Sequence, residues 1–426
     1  MNKFSDLPLA PPIQQALQKV GYDKPTPIQR ETIPLVLKGH DILGIAQTGT
    51  GKTAAFCLPI LDILLYKKIE NIPRCPRVLI LTPTRELAIQ IHENLEQYGC
   101  NLKQQYSVIF GGVKQGKQVK DLQRGPHVLV ATPGRLLDLI EQRFLNLNKV
   151  DIFVLDEADR MLDMGFMRDI KKILPMLPPK RHNLFFSATM PSEIQTLANT
   201  ILVEPKKVEV TPQSTTVKII QQSAMYVEKK DKIDLLIHLL KDPKLKKVLV
   251  FVQMKHIANR ITEKLLKSGY SAAAIHGNKS QPARQKAIQD FTQNRVRVLV
   301  ATDIASRGID IDGITHVINY ELSNIMESYV HRIGRTARAG SEGNAISLVT
   351  GEEKSFLVGI EKTTSQKIHI DMNHPYHSDE AANAEITSVG KAKASLEAQR
   401  KSQRSHNRNT PGSGGGSRNR FQNRRR

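Results

Sequence analysis

Short apolar runs rich in β-branched residues alternate along this chain with longer stretches whose apolar residues recur at helical spacing. The first series of runs falls at 41–45, 78–82, 107–110, 128–131, 152–155 and 184–187. A second series falls at 247–252, 271–275, 296–301, 316–319 and 345–349. Continuously apolar strands separated by helices predict parallel sheets covered on both faces. Between the two series, residues 210–216 are polar and β-branched and include Pro212, a linker pattern. The pattern therefore predicts two α/β domains, 1–208 and 217–365, joined by a linker at 209–216. Beyond about position 370 the periodicity stops. The Gly/Ser-rich stretch 411–417 and the Arg-rich end cannot bury enough apolar surface to offset their ordering entropy, so 366–426 is expected to be a disordered basic tail.

Charge adds a partner to this picture. The chain has 426 residues, of which 40% are apolar and 24% charged, ordinary values for a soluble globular protein. Its 62 Lys and Arg against 41 Asp and Glu leave +21, which points to a polyanionic partner. From Lys391 onward there are eleven Lys or Arg and one acid, Glu397, so about half of the excess lies in the tail and the rest is spread over the folded part. Cys57, Cys75 and Cys100 fit neither a disulfide framework nor a zinc pattern and read as packing residues in a reducing compartment. No apolar stretch reaches the ~18 residues of a membrane helix, and the start, Met1 to Asp6, lacks a signal-peptide pattern. These features predict a cytoplasmic protein without a membrane partner.

Two short segments carry the chemistry. Ala46-Gln47-Thr48-Gly49-Thr50-Gly51-Lys52-Thr53 follows one apolar run and precedes a helical stretch, the context a phosphate loop needs. Glycines let backbone N–H groups converge on a phosphate, and the helix N-terminus adds partial positive charge. Thr48, Gly49, Thr50 and Gly51 would cradle the phosphates, Lys52 would hold the β- and γ-phosphates, and the Thr53 hydroxyl would ligate Mg²⁺. Ala46 stands where the usual pattern has Gly, at a position that mainly needs a small residue. The second segment, Asp156-Glu157-Ala158-Asp159, ends the run 152–155, at the carboxyl end of a buried strand where open α/β sheets place ligands. Asp156 would hold Mg²⁺ and Glu157 would orient and deprotonate the attacking water. An acidic pair after a strand is by itself an ordinary surface feature. Joined to the phosphate loop it becomes the second half of a nucleotide-hydrolysis site.

The tetrad spells the name of the DEAD-box RNA helicases, and the chain resembles that family over roughly residues 1–365. Gly21-Tyr22-Asp23-Lys24-Pro25-Thr26-Pro27-Ile28-Gln29 looks like the family's Q motif, with Phe4 at the place of its isolated aromatic. Pro83-Thr84-Arg85-Glu86-Leu87-Ala88, Gly111-Gly112, Thr132-Pro133-Gly134-Arg135 and Ser187-Ala188-Thr189 follow in order. The second domain supplies Val250-Phe251-Val252, Gln281-Pro282-Ala283-Arg284, the stretch Ala301 to Asp310, and His331-Arg332-Ile333-Gly334-Arg335-Thr336-Ala337-Arg338. Residues 274–281 look most like the bacterial RhlE-type subgroup. Gln253-Met254-Lys255 departs from relatives, which often have Thr or Arg there.

The resemblance implies two RecA-like parallel-sheet domains in tandem and an ATP-dependent RNA helicase that unwinds locally and non-processively. Gln29 offers a donor and an acceptor that match the N7 and N6 edge of adenine, and Phe4 can stack on the base. Arg335 and Arg338, three apart on an expected helix, share a face and would act as arginine fingers on the γ-phosphate. His331 and Arg332 would set that segment against Ser187, Thr189 and the acids. Asp310 would meet the ribose, and Arg307 would pair toward the acids. RNA would lie along Thr84, Arg85, Gly111, Gly112, Thr132, Pro133, Gly134 and Arg135, then Arg284 and Thr302. Contacts of this kind fix position without reading sequence. The tail, with its arginines and Phe421, resembles a nonspecific RNA tether. Ribosome precursors or RNA-decay proteins are the partners the resemblance suggests. Two other classes share parts of the pattern: a superfamily-2 DNA helicase or translocase, and an RNA-annealing clamp switched by ATP.

Overall fold

The computed structural model describes residues 3–47, 49–67, 70–210, 220–303, 311, 313–323, 325–337, 343–386 and 390. Its first sheet holds β1 (Ile42–Ile45), β2 (Val78–Leu81), β3 (Tyr106–Ile109), β4 (Val128–Ala131), β5 (Ile152–Leu155), β6 (His182–Ser187) and β7 (Lys206–Glu209). These run in the order β3-β4-β2-β5-β6-β1-β7 with every pair parallel. The second sheet holds β8 (Ile220–Tyr226), β9 (Val248–Val252), β10 (Ala272–Ile275), β11 (Val298–Thr302), β12 (His316–Asn319), β13 (Gly343–Val349) and β14 (His369–Ile370). Its order is β10-β11-β9-β12-β13-β8-β14, again all parallel. Counted from the first strand of each domain, the two orders are the same, so one topology occurs twice.

Both faces of each sheet are buried, as the continuous apolar runs predict. Val78, Ile80, Val128, Val130, Ile152 and Val154 enter one core of the first domain. Their alternating neighbours Leu79, Leu81, Leu129, Ala131, Phe153 and Leu155 enter the core on the opposite face. In the second domain Val248, Val250 and Val252 face one core and Leu249 and Phe251 the other. A strand with no polar face can only sit between two layers of helices.

The strand order sorts the loops by function. β5, β6 and β1 are neighbours, so the segments that leave their carboxyl ends (Asp156, Ser187 and the phosphate loop) lie side by side, and Ala46 N–H donates to the Ser187 carbonyl (3.0 Å). β3, β4 and β2 form the other half of the sheet, and from them leave Gly111, Thr132 and Thr84.

Three strands are absent from the sequence expectation. β7 has only one buried residue, Val208, and β8 reads Ile-Gln-Gln-Ser-Ala-Met-Tyr, without a continuous apolar run. β14 has two residues and pairs with Ser223 and Ala224 of β8. The ordered chain also runs past 365. Ile368 is buried, Asp371 N–H donates to the Ala224 carbonyl, and a short helix, Asp379–Asn383, is capped by Ser378. Lys354 Nζ donates to the carbonyls of Ala382 (2.5 Å) and Ala384 (2.9 Å). A tail starting at 366 is therefore corrected: residues 366–386 close the edge of the second sheet by backbone pairing, which needs no hydrophobic periodicity. Glu209, placed in the linker by sequence, ends β7 instead. Positions 211–216 of that linker, and the tail beyond 386 apart from Gly390, lie outside the described residues.

Candidate functional site

The phosphate loop curls between β1 and the helix Lys52–Lys67, with Gly49 (φ +87°) and Gly51 (φ +90°) in left-handed backbone. Gly51 is fixed twice over, because a Cβ there would also overlap the Gln29 amide. Lys52 is buried and its Nζ donates to the Ala46 carbonyl (2.5 Å), which curls the side chain back over the loop. Thr50 Oγ1 donates to the Gln47 carbonyl (2.7 Å). Thr48 lies outside the described residues. Gly49, Gly51, Lys52, Thr53, Asp156 and Glu157 line one cavity of about 560 Å³, closed at its far end by Phe4, Tyr22 and Gln29.

Gln29 has a structural part that the motif did not suggest. Thr26 N–H donates to its Oε1 (2.9 Å) and its Nε2 donates to the Gly51 carbonyl (3.0 Å), so the amide ties the first turn of the helix Pro27–Leu37 to the phosphate loop. A primary amide has two donors and two acceptor lone pairs, so each end keeps capacity toward a base in the cavity. Phe4 is buried and stacked on Tyr22 (centroids 5.9 Å apart, 26° between planes). Its carbonyl accepts from Gln14 Nε2 (2.8 Å) and its N–H donates to the Asp23 carbonyl.

Asp156 and Glu157 are both buried, at 2% and 4% exposure. Burial pushes the Asp156 carboxyl up to about 7, against the pull of Lys52, with the neighbouring Glu157 charge adding to the rise. Burial would raise Glu157 as well, but the charges of Arg160, Lys52 and Arg335 outweigh it and hold that carboxyl below its ordinary value. Glu157 has φ +53°, left-handed backbone that costs a non-glycine residue about 1–2 kcal/mol. Its ion-pair partner was not foreseen and lies in the same domain: Arg160 Nη1 is 3.0 Å from Glu157 Oε2, with both side chains almost fully buried. The available signal was the i,i+3 spacing on the helix Ala158–Asp163.

The last acid of the tetrad binds the Ser-Ala-Thr segment directly. Thr189 N–H and Oγ1 donate to Asp159 Oδ2 (2.9 and 3.0 Å), and Asp159 N–H donates to Ser187 Oγ (3.2 Å). Across the cleft, the helix Met326–Ile333 ends at Gly334, so Arg335 sits in the turn after it rather than on a helix face shared with Arg338. Arg335 is buried and its charge acts on Glu157. Arg332 turns inward within its own domain, to Asp303 (2.6 and 2.8 Å), Asn319 Oδ1 and the Glu321 carbonyl. It braces the helix and does not reach the acids. His331 does face them: burial and the Arg160 and Arg335 charges push it down to about 4, so the ring is neutral. Arg307, Asp310 and Arg338 lie outside the described residues.

A second cavity, also about 560 Å³, opens over the other half of the first sheet and is lined by Thr84, Arg85, Gly111, Thr132, Gly134 and Arg135, with Gly277 and Arg284 from the second domain. Several of its expected contacts are already engaged. Thr84 Oγ1 caps the helix Arg85–Tyr98, and Thr132 is the N-cap residue of Pro133–Glu141, whose first residue is Pro133. Arg135 bonds Gln118 Oε1, the Val113 carbonyl and Asp138, bracing the turn after Gly112. Arg284 Nη2 pairs with Glu86 Oε2 (3.0 Å), and Gln281 Nε2 donates to Glu86 Oε1 (2.9 Å). That three-residue contact joins the two domains, and sequence reading overlooked Glu86 within its motif. Thr302 ends β11 and does not line this cavity. Gln253, the point of departure from relatives, bonds the Leu322 carbonyl with its Nε2 and Glu321 with its N–H, a contact internal to the second domain.

Two clefts on one parallel sheet, with a second copy of the same fold reaching Glu157 beside one and Glu86 at the other, are the architecture of a two-domain helicase core. The chain matches the family described as DEAD/DEAH box helicase over residues 26–197 and the helicase conserved C-terminal domain over 231–340. It is 43% identical over 367 residues to the DEAD-box ATP-dependent RNA helicase CshA of Bacillus licheniformis, covering 86% of this chain and 74% of the relative. Among solved structures it is similar to S. cerevisiae Dbp5 bound to RNA and ADP BeF3, with a TM-score of 0.78 at 30% identity, covering 93% of this chain and 100% of that one. It is also similar to the DEAD-box helicase Mss116 bound to ssRNA and UDP-BeF, with a TM-score of 0.79 at 26% identity, covering 95% and 87%. The chain belongs to the DEAD/DEAH box helicase family, with two RecA-like domains in tandem.

Proposed function

We propose that this protein is an ATP-dependent RNA helicase that couples ATP hydrolysis to local, non-processive strand separation. The observation that carries the reading is that the second domain reaches both clefts: Arg335 acts on Glu157 at one, and Arg284 and Gln281 hold Glu86 at the other. ATP and single-stranded RNA each bridge the same two domains, so each raises the affinity of the other through closure.

Lys52 and the loop N–H groups bind the β- and γ-phosphates, and Gln29 and Phe4 hold the base. Glu157 orients a water whose oxygen attacks the γ-phosphorus and takes up its proton, while the bond from that phosphorus to the β,γ-bridging oxygen breaks, leaving ADP and inorganic phosphate. Arg335 and Arg338 compensate charge on the transferring group. Thr53 and Asp156 are hard oxygen donors that suit Mg²⁺. Bound there, it would neutralise phosphate charge. The RNA track runs along Thr84, Arg85, Gly111, Thr132 and Gly134, with Gly112 next in the chain, and Asp159 relays closure through Ser187 and Thr189. Asp310 would meet the ribose and Arg307 would pair toward the acids.

Several finer assignments follow from the resemblance: the RhlE-type subgroup (from residues 274–281), a cytoplasmic setting, and ribosome precursors or RNA-decay proteins as partners. The decisive experiment compares ATPase stimulation by RNA and by single-stranded DNA, with unwinding of an isolated RNA duplex in the same protein. RNA-specific stimulation and ATP-dependent unwinding, both lost in Glu157→Gln, are expected. Stimulation by DNA alone, or unwinding that survives Glu157→Gln, refutes the reading.

A further inference from the structure

Glu157 must point its carboxylate at a water that arrives only when the cleft is shut, and its own backbone gives it little help. The residue sits at the start of a six-residue helix in left-handed backbone, and a glutamate has three side-chain torsions to fix. Arg160 holds the far end of that side chain. Arg160 Nη1 meets Glu157 Oε2 at 3.0 Å, with 3% and 5% of the two side chains exposed. Arg160 is itself anchored, because its N–H donates to Asp159 Oδ1 (3.0 Å), and Asp159 carries Thr189.

The burial of this pair depends on the second domain. Arg160 projects into a small cavity whose other walls are Phe251, Asp303, Ser328, His331, Arg332 and Arg335, all from beyond the linker. In a separated first domain the same pair would face water. An exposed ion pair holds its partners weakly and is screened, whereas a buried one fixes both side chains because breaking it strands a charge. Arg332 cannot take this part, being committed to Asp303, nor can His331, which is neutral.

We propose that Arg160 is a positioning residue for the hydrolytic step: domain closure buries its bond to Glu157 Oε2, and that bond fixes the direction of the carboxylate. This rests on the reading of Glu157 as the general base. Arg160 touches neither phosphate nor water in this scheme. It acts through Glu157, so ATP binding and closure are left intact while turnover falls.

The test uses the full chain in three variants, Arg160→Gln, Arg160→Lys and Glu157→Gln. RNA-stimulated ATPase is measured per site competent to bind a nonhydrolysable ATP analogue, which removes any misfolded fraction from the comparison. Arg160→Gln is expected to lower kcat about 10- to 100-fold, the scale of a misplaced catalytic group. KM for ATP and the RNA affinity measured with the analogue should stay within about threefold, since neither is made by this bond. Arg160→Lys, which restores a cation on a shorter-ranged donor, should recover a large part of the lost kcat. A kcat within twofold of the parent in Arg160→Gln, or no recovery in Arg160→Lys, overturns the assignment while leaving the function untouched. Turnover that survives Glu157→Gln removes the base, and the function and this inference then fall together.

Discussion

Gly51 is the residue at which two parts of the nucleotide site meet. Its φ of +90° is closed to other residues, and the space a Cβ would need is held by the Gln29 amide, which donates to the Gly51 carbonyl. Gly51→Ala should abolish detectable ATP binding, and adding Gln29→Ala should restore part of it, leaving about a 5- to 30-fold loss from the backbone strain of about 1–2 kcal/mol that remains. Gln29→Ala alone separates two uses of that amide. If the amide only holds the loop, ATP and GTP weaken equally by equilibrium binding. If it also reads the base, ATP weakens about 3- to 10-fold more than GTP, a loss of about 1 kcal/mol for one hydrogen bond. At this scale the motifs located the site and left out its supports. Lys52, Asp156 and Glu157 stand where the spacing put them. Arg160 and Glu86 escaped because their significance lies in what they face across the cleft, and a linear pattern does not carry that.

Elements were legible in proportion to how apolar they are. Eleven strands were readable because they carry apolar runs, most of them buried on both faces and the edge strands β3 and β10 partly buried. β7, β8 and β14 were not, since edge and near-edge strands are held by backbone pairing and can be polar. The helix expected to carry both Arg335 and Arg338 stops at Gly334, a glycine at its C-cap. The helices Arg85–Tyr98 and Gln281–Thr292 show what elements do for coupling. Each begins at the second cleft, and Glu86 at the start of one receives Gln281 and Arg284 from the start of the other. Removing one partner of a buried pair costs about 3–5 kcal/mol. Glu86→Arg should therefore weaken RNA binding in the presence of an ATP analogue at least about 100-fold, and Glu86→Arg with Arg284→Glu should recover a substantial part. Nucleotide affinity without RNA should stay unchanged, because Glu86 lies outside the first cavity. A double variant no better than Glu86→Arg would show that the contact does not hold the domains.

For the whole molecule, closure sets a titration problem at His331. Separated from the first domain, this imidazole would titrate near its ordinary 6.5. In the closed structure burial, Arg160 and Arg335 push it down to about 4, against the opposing pull of Asp159 and Glu157. Between those two values the open form binds a proton that the closed form rejects, so closure releases a proton and is favoured by high pH. The stabilisation is complete above pH 6.5 and is lost as pH falls from there toward 4. From pH 7.5 to 5.5 the loss is about 1 kcal/mol, or roughly a fivefold to tenfold weakening of RNA binding with an ATP analogue present. His331→Asn keeps a neutral polar group without a titratable ring and should remove this increment, leaving only the pH dependence of other groups. The measurement is RNA affinity at the two pH values in parent and variant, at constant ionic strength because phosphate contacts are salt-sensitive. Identical pH dependence in both proteins would mean that His331 keeps its ordinary titration in the working complex. The guanidinium pair of Arg160 and Arg335 would then have to lie farther from it than the closed structure places them.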